Sequence, residues 1–326
     1  MQGERRPPSL PDGVRVYAVG DLHGRADLLR DLLPQIELDL AINPAARAIV
    51  VFLGDYIDRG PASRQVIEQL VELEKRLEVI LLKGNHEAFA LDFLNNPDVL
   101  DRWRNYGGIE TLLSYGLTPS MRSSQKENAE LARAFAAALP ESHHRFLTKL
   151  KTSFSCGDFF FVHAGVRPGV PLSDQREEDL LWIRQEFLVS EVDFGKVVVH
   201  GHEPVDNPDI RFNRINIDTG AFATGRLTCL IIDRELVLGL TDKRQWAWRF
   251  FEPARLPSAE AMTGDQSKTI GTDSEGATLI NVETAELGSG DIEAAEELPP
   301  QVPSLSRPAS PPVERPLAKL LAKMGF

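Results

Sequence analysis

Five polar clusters of the sequence carry Asp, Asn and His side chains, and each directly follows a short apolar run. The clusters are Gly20-Asp21-Leu22-His23-Gly24, Gly54-Asp55-Tyr56-Ile57-Asp58-Arg59-Gly60, Lys83-Gly84-Asn85-His86-Glu87, His163-Ala164-Gly165 and His200-Gly201-His202-Glu203-Pro204. Imidazole and oxygen ligands without thiolate suit Mn²⁺, Fe or Zn²⁺ in a catalytic site rather than a structural zinc cage. So many carboxylates and imidazoles are costly to bury together without a cation. We therefore expect a dinuclear metal centre.

Each cluster taken alone has an ordinary structural explanation. Asp21 and His23 could form a polar turn at the end of a strand, the segment 54–60 could cap a helix that starts at Gly60-Pro61, and Asn85 could form a turn. Five such clusters in this order, each behind an apolar run, favour the metal site instead.

Short β-branched runs alternate with longer amphipathic segments up to residue 252. Strands are predicted at 14–19, 48–53, 79–82, 159–162, 197–199, 210–217 and 227–233, and helices at 27–40, 62–77, 87–94, 131–139 and 178–187. The early alternation predicts parallel strands with crossover helices. The hairpin-like runs FSCGDFF and RLTCLIIDRELVLGL predict a second, more antiparallel sheet. Because the carboxyl ends of parallel strands meet at one edge of a sheet, we expect the five clusters to form one site.

The composition changes near residue 252 and divides the chain into three parts. Residues 1–13 form an N-terminal extension, 14–252 the folded domain and 253–326 an acidic tail rich in Pro and Ser. Phe326 is the only aromatic residue of the tail, which cannot bury enough apolar surface to fold and is predicted to be disordered. Its end, LAKLLAKMGF, has apolar residues at helical spacing and could dock a partner or fray in solvent.

Composition and charge exclude several classes of protein. The chain has 326 residues, 42% hydrophobic and 26% charged, as in a soluble globular protein. Its net charge of −12 disfavours generic binding to nucleic acid or anionic membranes. We find no apolar run long enough for a membrane span, no signal-peptide core at the charged start, and no disulfide framework from two cysteines. We therefore expect a cytoplasmic protein.

In this order the motifs GDLHG, GDYIDRG, GNHE, HAG and GHEP resemble those of the phosphoprotein phosphatase family within the calcineurin-like metallophosphoesterase superfamily. The resemblance covers about residues 14–233, and the segments INIDTGAFATGRLTCL and NYGGIETLLSYG are similar to bacterial members. It implies an α/β fold, a four-layer αββα sandwich with two divalent metal ions at the strand ends. Mn²⁺ is the ion we expect, with Fe or Zn²⁺ as alternatives.

The resemblance also implies a ligand set for the two ions. One ion would be bound by Asp21 and His23, the other by Asn85, His163 and His202, and Asp55 would bridge them. His202 is preferred to His200 because it fits Gly-His-x-Pro, which leaves His200 as a packed or supporting histidine. Pro204 stands where many superfamily members have a second histidine, as in the phosphoprotein phosphatase branch. Lys83 departs from the family pattern, in which an arginine is usual, and it keeps the charge but not the guanidinium group.

A dinuclear site suits hydrolysis of a phosphoester by direct attack of a metal-bridging hydroxide. The leaving alkoxide needs a proton, and His86 is the expected general acid, with Asp58 orienting its ring. Arg59 and Arg184 are the expected phosphate-binding residues. For Arg184, a solvated helix face is the alternative explanation.

The substrate is a phosphoprotein or a small phosphoester or dinucleotide. A serine/threonine protein phosphatase is our first hypothesis, and a symmetrical bis(5'-nucleosyl)-tetraphosphatase, a diadenosine tetraphosphate hydrolase, is the alternative. A non-catalytic phosphate-binding scaffold is a third hypothesis, disfavoured because every expected ligand is present. Trp103, Tyr106 and Tyr115, in the segment 92–117, could stack an adenine or pack in a helical cap. His143 and His144 are expected on a solvated surface.

Overall fold

Two β-sheets packed face to face form the centre of the fold. The computed structural model describes residues 6–120, 122–234, 236–240, 245–249, 269–272 and 278–282. Within these residues the larger sheet has eight strands and the smaller sheet has five. The strands are β1 (Val14–Val19), β2 (Arg47–Phe52), β3 (Glu78–Leu81), β4 (Ser153–Cys156), β5 (Phe159–Val162), β6 (Val197–His200), β7 (Asp209–Ile210), β8 (Arg214–Asn216), β9 (Cys229–Asp233), β10 (Leu236–Leu240), β11 (Gln245–Arg249), β12 (Thr269–Thr272) and β13 (Thr278–Val282).

The order of strands places the parallel strands at one end of the larger sheet and in the middle of the smaller sheet. The larger sheet has the order β12-β13-β11-β10-β9-β1-β2-β3, and the smaller has the order β4-β5-β6-β8-β7. In the larger sheet β1, β2 and β3 are parallel to one another, and in the smaller sheet β5, β6 and β8 are parallel. The motif loops therefore follow strands that run in the same direction within each sheet.

Helices flank both sheets. Those of the described residues are α1 (Ala26–Ile42), α2 (Ser63–Leu73), α3 (Asn85–Phe93), α4 (Leu100–Arg104), α5 (Gly108–Ser114), α6 (Gln125–Ala138), α7 (Glu141–Lys149), α8 (Glu177–Trp182), α9 (Gln185–Leu188) and α10 (Ala221–Thr224). Their sequences explain their placement. In α2, Val66, Ile67, Leu70 and Leu73 recur at helical spacing and are buried. The start of α6 is stabilised by the side chain of Ser124, which accepts the backbone N–H of Glu127.

Alternation of side chains along the central strands produces four layers. In β1, Tyr17 packs with the helices of one face, whereas Val16 packs against the smaller sheet. In β5, Phe161 faces the larger sheet, and Phe160 belongs to an outer cluster with Phe187 of α9. Both sheets are therefore buried on their central strands, and the predicted αββα sandwich is confirmed.

Three predicted elements differ from the structure. The hairpin β9–β10 belongs to the larger sheet, not to a second one, because β9 has apolar residues on both faces and pairs with the central strand β1. The run 210–217 forms two strands, β7 and β8, that pair with each other across a tight connection. The predicted helix 178–187 is divided into α8 and α9, with Arg184 at the break.

Most of the predicted tail lies outside the described residues, whereas residues 6–13 of the predicted N-terminal extension are described. The chain divides into two units, Met1–Val282 and Glu283–Phe326, and all of the second unit lies outside the described residues, including the candidate docking helix at 317–324. Within the predicted tail, only β12 and β13 are described, and they extend the larger sheet. The end of the domain at residue 252 stays a prediction. Among the described helices, none has the length and apolar character needed to cross a membrane.

Candidate metal centre and active site

Strained backbone conformations are concentrated in the loops that follow β1, β2 and β6. The φ angle is 44° at His23, 50° at Asp55, 72° at Asp58, 64° at Arg59 and 69° at His202. Residues other than glycine rarely adopt these left-handed conformations, which cost free energy and are usually maintained at functional sites. The loops are therefore held in specific shapes rather than in ordinary turns.

Asp55 lies at the centre of the site and is near two groups of histidines. Its Oδ2 atom is 3.5 Å from Nε2 of His23 and 3.7 Å from Nε2 of His86, and its Oδ1 atom is 3.4 Å from Nε2 of His163. Ligand atoms of His23, Asp55 and His86 lie within 4.8 Å of one another, and so do those of Asp55, His163 and His202. One carboxylate common to both groups is the arrangement expected of a bridging ligand.

Asn85, His163 and His202 converge beside this carboxylate. Oδ1 of Asn85 is 2.9 Å from Nε2 of His163 and 3.0 Å from Nδ1 of His202, and the two imidazole nitrogens are 3.1 Å apart. Nδ1 of His163 is 3.0 Å from the carbonyl oxygen of Leu53, to which it can donate only as N–H. Its Nε2 atom then has a lone pair directed at the other two ligand atoms, which suits a cation.

Asp21 and His23 supply the remaining predicted ligands. Nδ1 of His23 is 3.0 Å from the carbonyl oxygen of Ile57, so Nε2 again has a free lone pair. Oδ2 of Asp21 accepts the backbone N–H of His202 at 3.1 Å. Within the described chain, Oδ1 of Asp21 is one of the buried polar atoms that have no hydrogen-bond partner. Such orphaned atoms are rare in proteins, and a bound ion is a common reason for them. The side chains present fit divalent metal ions.

The electrostatics of the site also favour bound cations. Burial raises the pKa of Asp21 and of Asp55 well above its usual range, and for Asp21 the nearby carboxylate of Asp218 adds to the effect. Burial lowers the pKa of His163 to about 3 and that of His202 well below its usual range. A divalent cation would favour ionised carboxylates and neutral imidazoles together.

His86 and Asp58 form a buried pair next to these groups. Nδ1 of His86 is 2.7 Å from Oδ2 of Asp58, and its Nε2 is 3.4 Å from Nη2 of Arg59. Burial raises the pKa of Asp58 to about 7, and hydrogen bonds from Thr111 and Trp103 act in the opposite direction. Burial and then the charge of Arg59 lower the pKa of His86. An ionised Asp58 accepts the Nδ1 proton and fixes the orientation of the ring.

The two predicted phosphate-binding arginines have different surroundings. The guanidinium carbon of Arg59 lies 4.7 Å from the centre of the Phe222 ring. Arg184 has an unusual backbone conformation between α8 and α9 and forms an ion pair with Glu203, the residue after His202. Arg59 therefore lies within the site and Arg184 at its edge.

His200 belongs to neither group of candidate ligands. It is the last residue of β6, and the alternation of that strand turns its side chain to the same face as Val198. The ring packs edge-on against Phe187 with the centroids 4.9 Å apart. His202 reaches Asp55 instead because its left-handed backbone ends the alternation of the strand.

His143 was expected on a solvated surface, and this expectation is wrong. Its side chain is 2% exposed, and Nδ1 lies 2.8 Å from the hydroxyl oxygen of Tyr115. It shares the buried face of α7 with Phe146 and Leu147. His144, on the other face, is exposed as expected. Adjacent histidines on an amphipathic helix thus have different environments.

Glu87 supports the site but was not singled out in the sequence. It is fully buried, and its carboxylate accepts the backbone N–H groups of Gly84, Asp55, Tyr56 and Ile57. A Cβ at Gly84 would lie 2.4 Å from the backbone nitrogen of Asp55, so only glycine allows the two loops to approach this closely. The acidic residue near the start of a helix was the available signal.

The aromatic residues of the segment 92–117 divide between packing and the site. Trp103 and Tyr115 are buried and pack in the helical layer. Trp103 in addition donates its Nε1–H to Oδ2 of Asp58 at 2.7 Å. Tyr106 is only half-buried, with its ring 5.9 Å from that of His86 and 5.9 Å from that of Trp182. The segment 92–117 therefore packs in the helical layer and also lines one side of the site.

A four-layer sandwich with carboxylates and imidazoles gathered at its strand ends defines a metal-dependent phosphoesterase. The chain belongs to the calcineurin-like phosphoesterase family, whose model matches residues 14–229. Members of this family bind divalent metal ions, which the two groups around Asp55 can hold. The protein is a metallophosphoesterase and hydrolyses phosphoesters.

Curated relatives include both tetraphosphatases and a protein phosphatase. The chain is 26% identical over 231 residues to the asymmetrical bis(5'-nucleosyl)-tetraphosphatase PrpE of Anoxybacillus flavithermus, covering 65% of this chain and 88% of the relative. It is 26% identical over 233 residues to serine/threonine-protein phosphatase 2 of Escherichia coli, covering 65% of this chain and 90% of the relative. A solved structure of a cold-active protein tyrosine phosphatase matches with a TM-score of 0.45 and 16% identity, over 71% of this chain and 78% of that chain.

Proposed function

We propose that the protein is a serine/threonine protein phosphatase, which hydrolyses alkyl phosphomonoesters. The proposal rests on the pair formed by His86 and Asp58, whose facing atoms are 2.7 Å apart. The alkoxide that leaves from phosphoserine is a strong base and must be protonated as its bond to phosphorus breaks. A nucleoside phosphate is a much weaker base and leaves without such help. A buried, oriented general acid therefore suits the protein substrate.

Two divalent metal ions complete the proposed centre, with Mn²⁺ preferred to Fe or Zn²⁺. We assign the ligands as the sequence predicted them: Asp21 and His23 to one ion, Asn85, His163 and His202 to the other, and Asp55 to both. When bound, the ions supply Lewis acidity that polarises the phosphoryl oxygens and acidifies a water molecule for attack in line.

The remaining residues bind the phosphate and transfer a proton. The guanidinium groups of Arg59 and Arg184 would each bind phosphate oxygens through paired N–H donors. Their charges contribute to the lowered pKa of His86, and a bound phosphate dianion would oppose them. His86 would then donate its Nε2 proton to the leaving oxygen. Asp58 would keep the ring oriented and stabilise its positive charge.

Hydrolysis of a bis(5'-nucleosyl) tetraphosphate is the second candidate. The half-buried rings of Tyr106 and Trp182, 5.9 Å apart beside the site, could stack a nucleobase. Tetraphosphatases among the curated relatives also support it, although those named are asymmetrical and the sequence suggested symmetrical cleavage. A non-catalytic scaffold is disfavoured, since four of the six predicted ligands, His23, Asp55, His163 and His202, have ligand atoms in the two groups that could hold a metal ion.

Kinetics on three substrates distinguish these candidates. The full chain with excess Mn²⁺ would be assayed on a phosphoserine or phosphothreonine peptide, a phosphotyrosine peptide and diadenosine tetraphosphate. A higher kcat/KM for the first peptide supports the protein phosphatase. A higher value for the dinucleotide supports the tetraphosphatase, and the products distinguish the cut: ADP alone if symmetrical, ATP and AMP if asymmetrical. Asp55→Asn, prepared identically, controls for contaminating phosphatases.

We also propose that the enzyme works in the cytoplasm. Both cysteines of the chain, Cys156 and Cys229, are free thiols. Free thiols are typical of a reducing compartment. Fractionation of cells with an antibody to the native protein would test this.

A further inference from the structure

The carboxylate of Asp58 receives more hydrogen bonds than a simple catalytic pair requires. Its Oδ2 atom accepts Nε1–H of Trp103 at 2.7 Å as well as facing His86, and its Oδ1 atom accepts the hydroxyl of Thr111 at 2.5 Å. The same hydroxyl oxygen accepts the backbone N–H of Asp58 at 2.9 Å. Asp58 is fully buried and has a left-handed backbone, so these contacts fix a conformation that is otherwise unfavourable.

Both donors come from the helical insert formed by α4 and α5, not from the strand-end motifs. Trp103 lies in α4 and Thr111 in α5, and Gly107 between the two helices has φ of 90°. The carbonyl of Gly107 accepts the backbone N–H of Arg59 at 3.1 Å. A Cβ at Gly107 would lie 2.6 Å from that nitrogen, and one at Gly108 would lie 2.5 Å from the Trp103 ring. Because positions 107 and 108 are both glycine, the insert can pack directly against the loop that contains Asp58.

We propose that Trp103 and Thr111 are positioning residues that act through Asp58 and hold His86 in the orientation from which it protonates the leaving group. The inference rests on the proposed general-acid role of His86. With both donors in place, the carboxylate is kept from rotating, and the remaining lone pair of Oδ2 is directed at Nδ1 of His86. Hydrogen bonds to a buried carboxylate also favour its ionised form, which is the form that can accept this proton.

The loss of kcat in variants of Trp103 and Thr111 should depend on how basic the leaving group of the substrate is. Trp103→Phe keeps an aromatic ring but removes the N–H donor, and Thr111→Val keeps the shape but removes the hydroxyl. Each should lower kcat on a phosphoserine peptide about tenfold or more, the effect of losing a hydrogen bond to a charged group. On nitrophenyl phosphate, whose leaving group needs no proton, kcat should fall less than about twofold. KM and bound metal should stay near the wild-type values, and Thr111→Ser should restore most of the kcat.

A matched control comes from the same insert. Tyr115→Phe also removes one buried donor from a buried aromatic residue, but that hydroxyl contacts His143 rather than Asp58. It should lower kcat equally little on both substrates. Thermal unfolding of each variant would separate a loss of stability from the loss of kcat.

A double-mutant cycle tests whether Trp103 acts through the acid. In a His86→Asn background, Trp103→Phe should cost nothing further on the phosphoserine peptide, because residues that act as a unit are not additive. A loss that persists in this background, or equal losses on both substrates, would overturn the inference.

If His86→Asn itself loses kcat equally on both substrates, the general-acid proposal fails, and the inference fails with it. If His86→Asn is selective and the Trp103 and Thr111 variants are not, only the inference fails. Should Trp103→Phe not fold, the comparison of Thr111→Val with Thr111→Ser decides the question.

Discussion

Oε2 of Glu87 accepts the backbone N–H of Asp55 at 2.9 Å. Glu87, which follows the proposed general acid His86, therefore fixes the backbone of the proposed bridging ligand Asp55. The other oxygen of the Glu87 carboxylate accepts the N–H of Tyr56 at 2.8 Å. Oε2 also accepts the N–H of Gly84 at 2.9 Å. One buried side chain therefore joins the loops after β2 and β3, and the distance between the motif side chains depends on it.

Glu87→Gln should destabilise the protein. The substitution turns an NH₂ group toward backbone donors and leaves at least one of them unsatisfied, which costs about 2–4 kcal/mol. Urea denaturation followed by circular dichroism would measure the loss of unfolding free energy. Glu72→Gln, on the exposed face of α2, is the control and should change stability by less than about 0.5 kcal/mol. Equal stability of Glu87→Gln and wild type would show that the four backbone contacts contribute little.

Local patterns in the sequence predicted most of the central strands and several of the helices, whereas the four-layer arrangement was predicted only from the resemblance to a known family. The local patterns are β-branched runs, helical spacing of apolar residues, and polar clusters directly behind the strands. Because parallel strands of one sheet end at a common edge, the motifs after β1, β2 and β3 were expected to meet there. The motifs after β5 and β6 follow strands of the other sheet, and they join the site only because the two sheets pack together.

The contacts that support the site could not be read in the same way. Trp103 bonds to Asp58 across 45 positions of the chain, and Thr111 across 53, so no local pattern relates them. The left-handed conformation of His202, which directs it rather than His200 to the site, depends on the fold around it. Likewise, β9–β10 was assigned to the wrong sheet because a hairpin with two apolar faces does not indicate which strand it pairs with.

Asp55→Asn should abolish turnover and reduce bound metal. The substitution removes a charge from the carboxylate that lies between the two groups of histidines, and the loss in kcat should be at least about 10³-fold. Metal content by mass spectrometry and hydrolysis of nitrophenyl phosphate would measure both effects. Asp174→Asn, at the exposed end of a short 3-10 helix, should retain activity and metal. Full activity and full metal content in Asp55→Asn would contradict the dinuclear assignment.

Arg184 and Glu203 should have opposite effects on phosphate binding. The two side chains form an ion pair in which each is about one-third exposed, so a bound phosphate would compete with Glu203 for the guanidinium group. Arg184→Ala should raise the inhibition constant for inorganic phosphate about tenfold. Glu203→Gln should lower it about threefold, because it releases the guanidinium group.

The control for this pair is Arg167→Ala. Arg167 also pairs with carboxylates near the surface, those of Asp179 and Glu186, and has no contact with the predicted ligands. The inhibition constant of Arg167→Ala for inorganic phosphate should match that of the wild-type protein. If Arg184→Ala also matches wild type, Arg184 does not bind phosphate and the solvated-face explanation holds.

His143 should make stability depend on pH below neutrality. Burial lowers the pKa of His143 from its ordinary value of 6.5, so the unfolded chain binds this proton more readily than the folded one. Its contribution is therefore complete above about pH 6.5 and is lost as the pH falls through the acid range, by at most about 1.4 kcal/mol per pH unit. Melting temperatures from pH 5 to 8 should fall less steeply at the acid end for His143→Asn than for wild type. His144→Asn, one position along the same helix with an exposed side chain, should follow wild type.

His86→Asn should separate substrates by the basicity of their leaving groups. Because Nδ1 of His86 is fixed by Asp58 at 2.7 Å, the ring has only Nε2 available to protonate the departing oxygen. Loss of a general acid costs about 10² to 10⁴ in rate where the leaving group must be protonated, as with phosphoserine, and clearly less with nitrophenyl phosphate. Asp58→Asn should follow the same pattern more mildly, since it orients the ring without touching the substrate. Both variants should retain bound metal. Equal losses on the two substrates with metal retained would mean that His86 does not protonate the leaving group, and its position 3.4 Å from Nη2 of Arg59 would then indicate a role in binding phosphate.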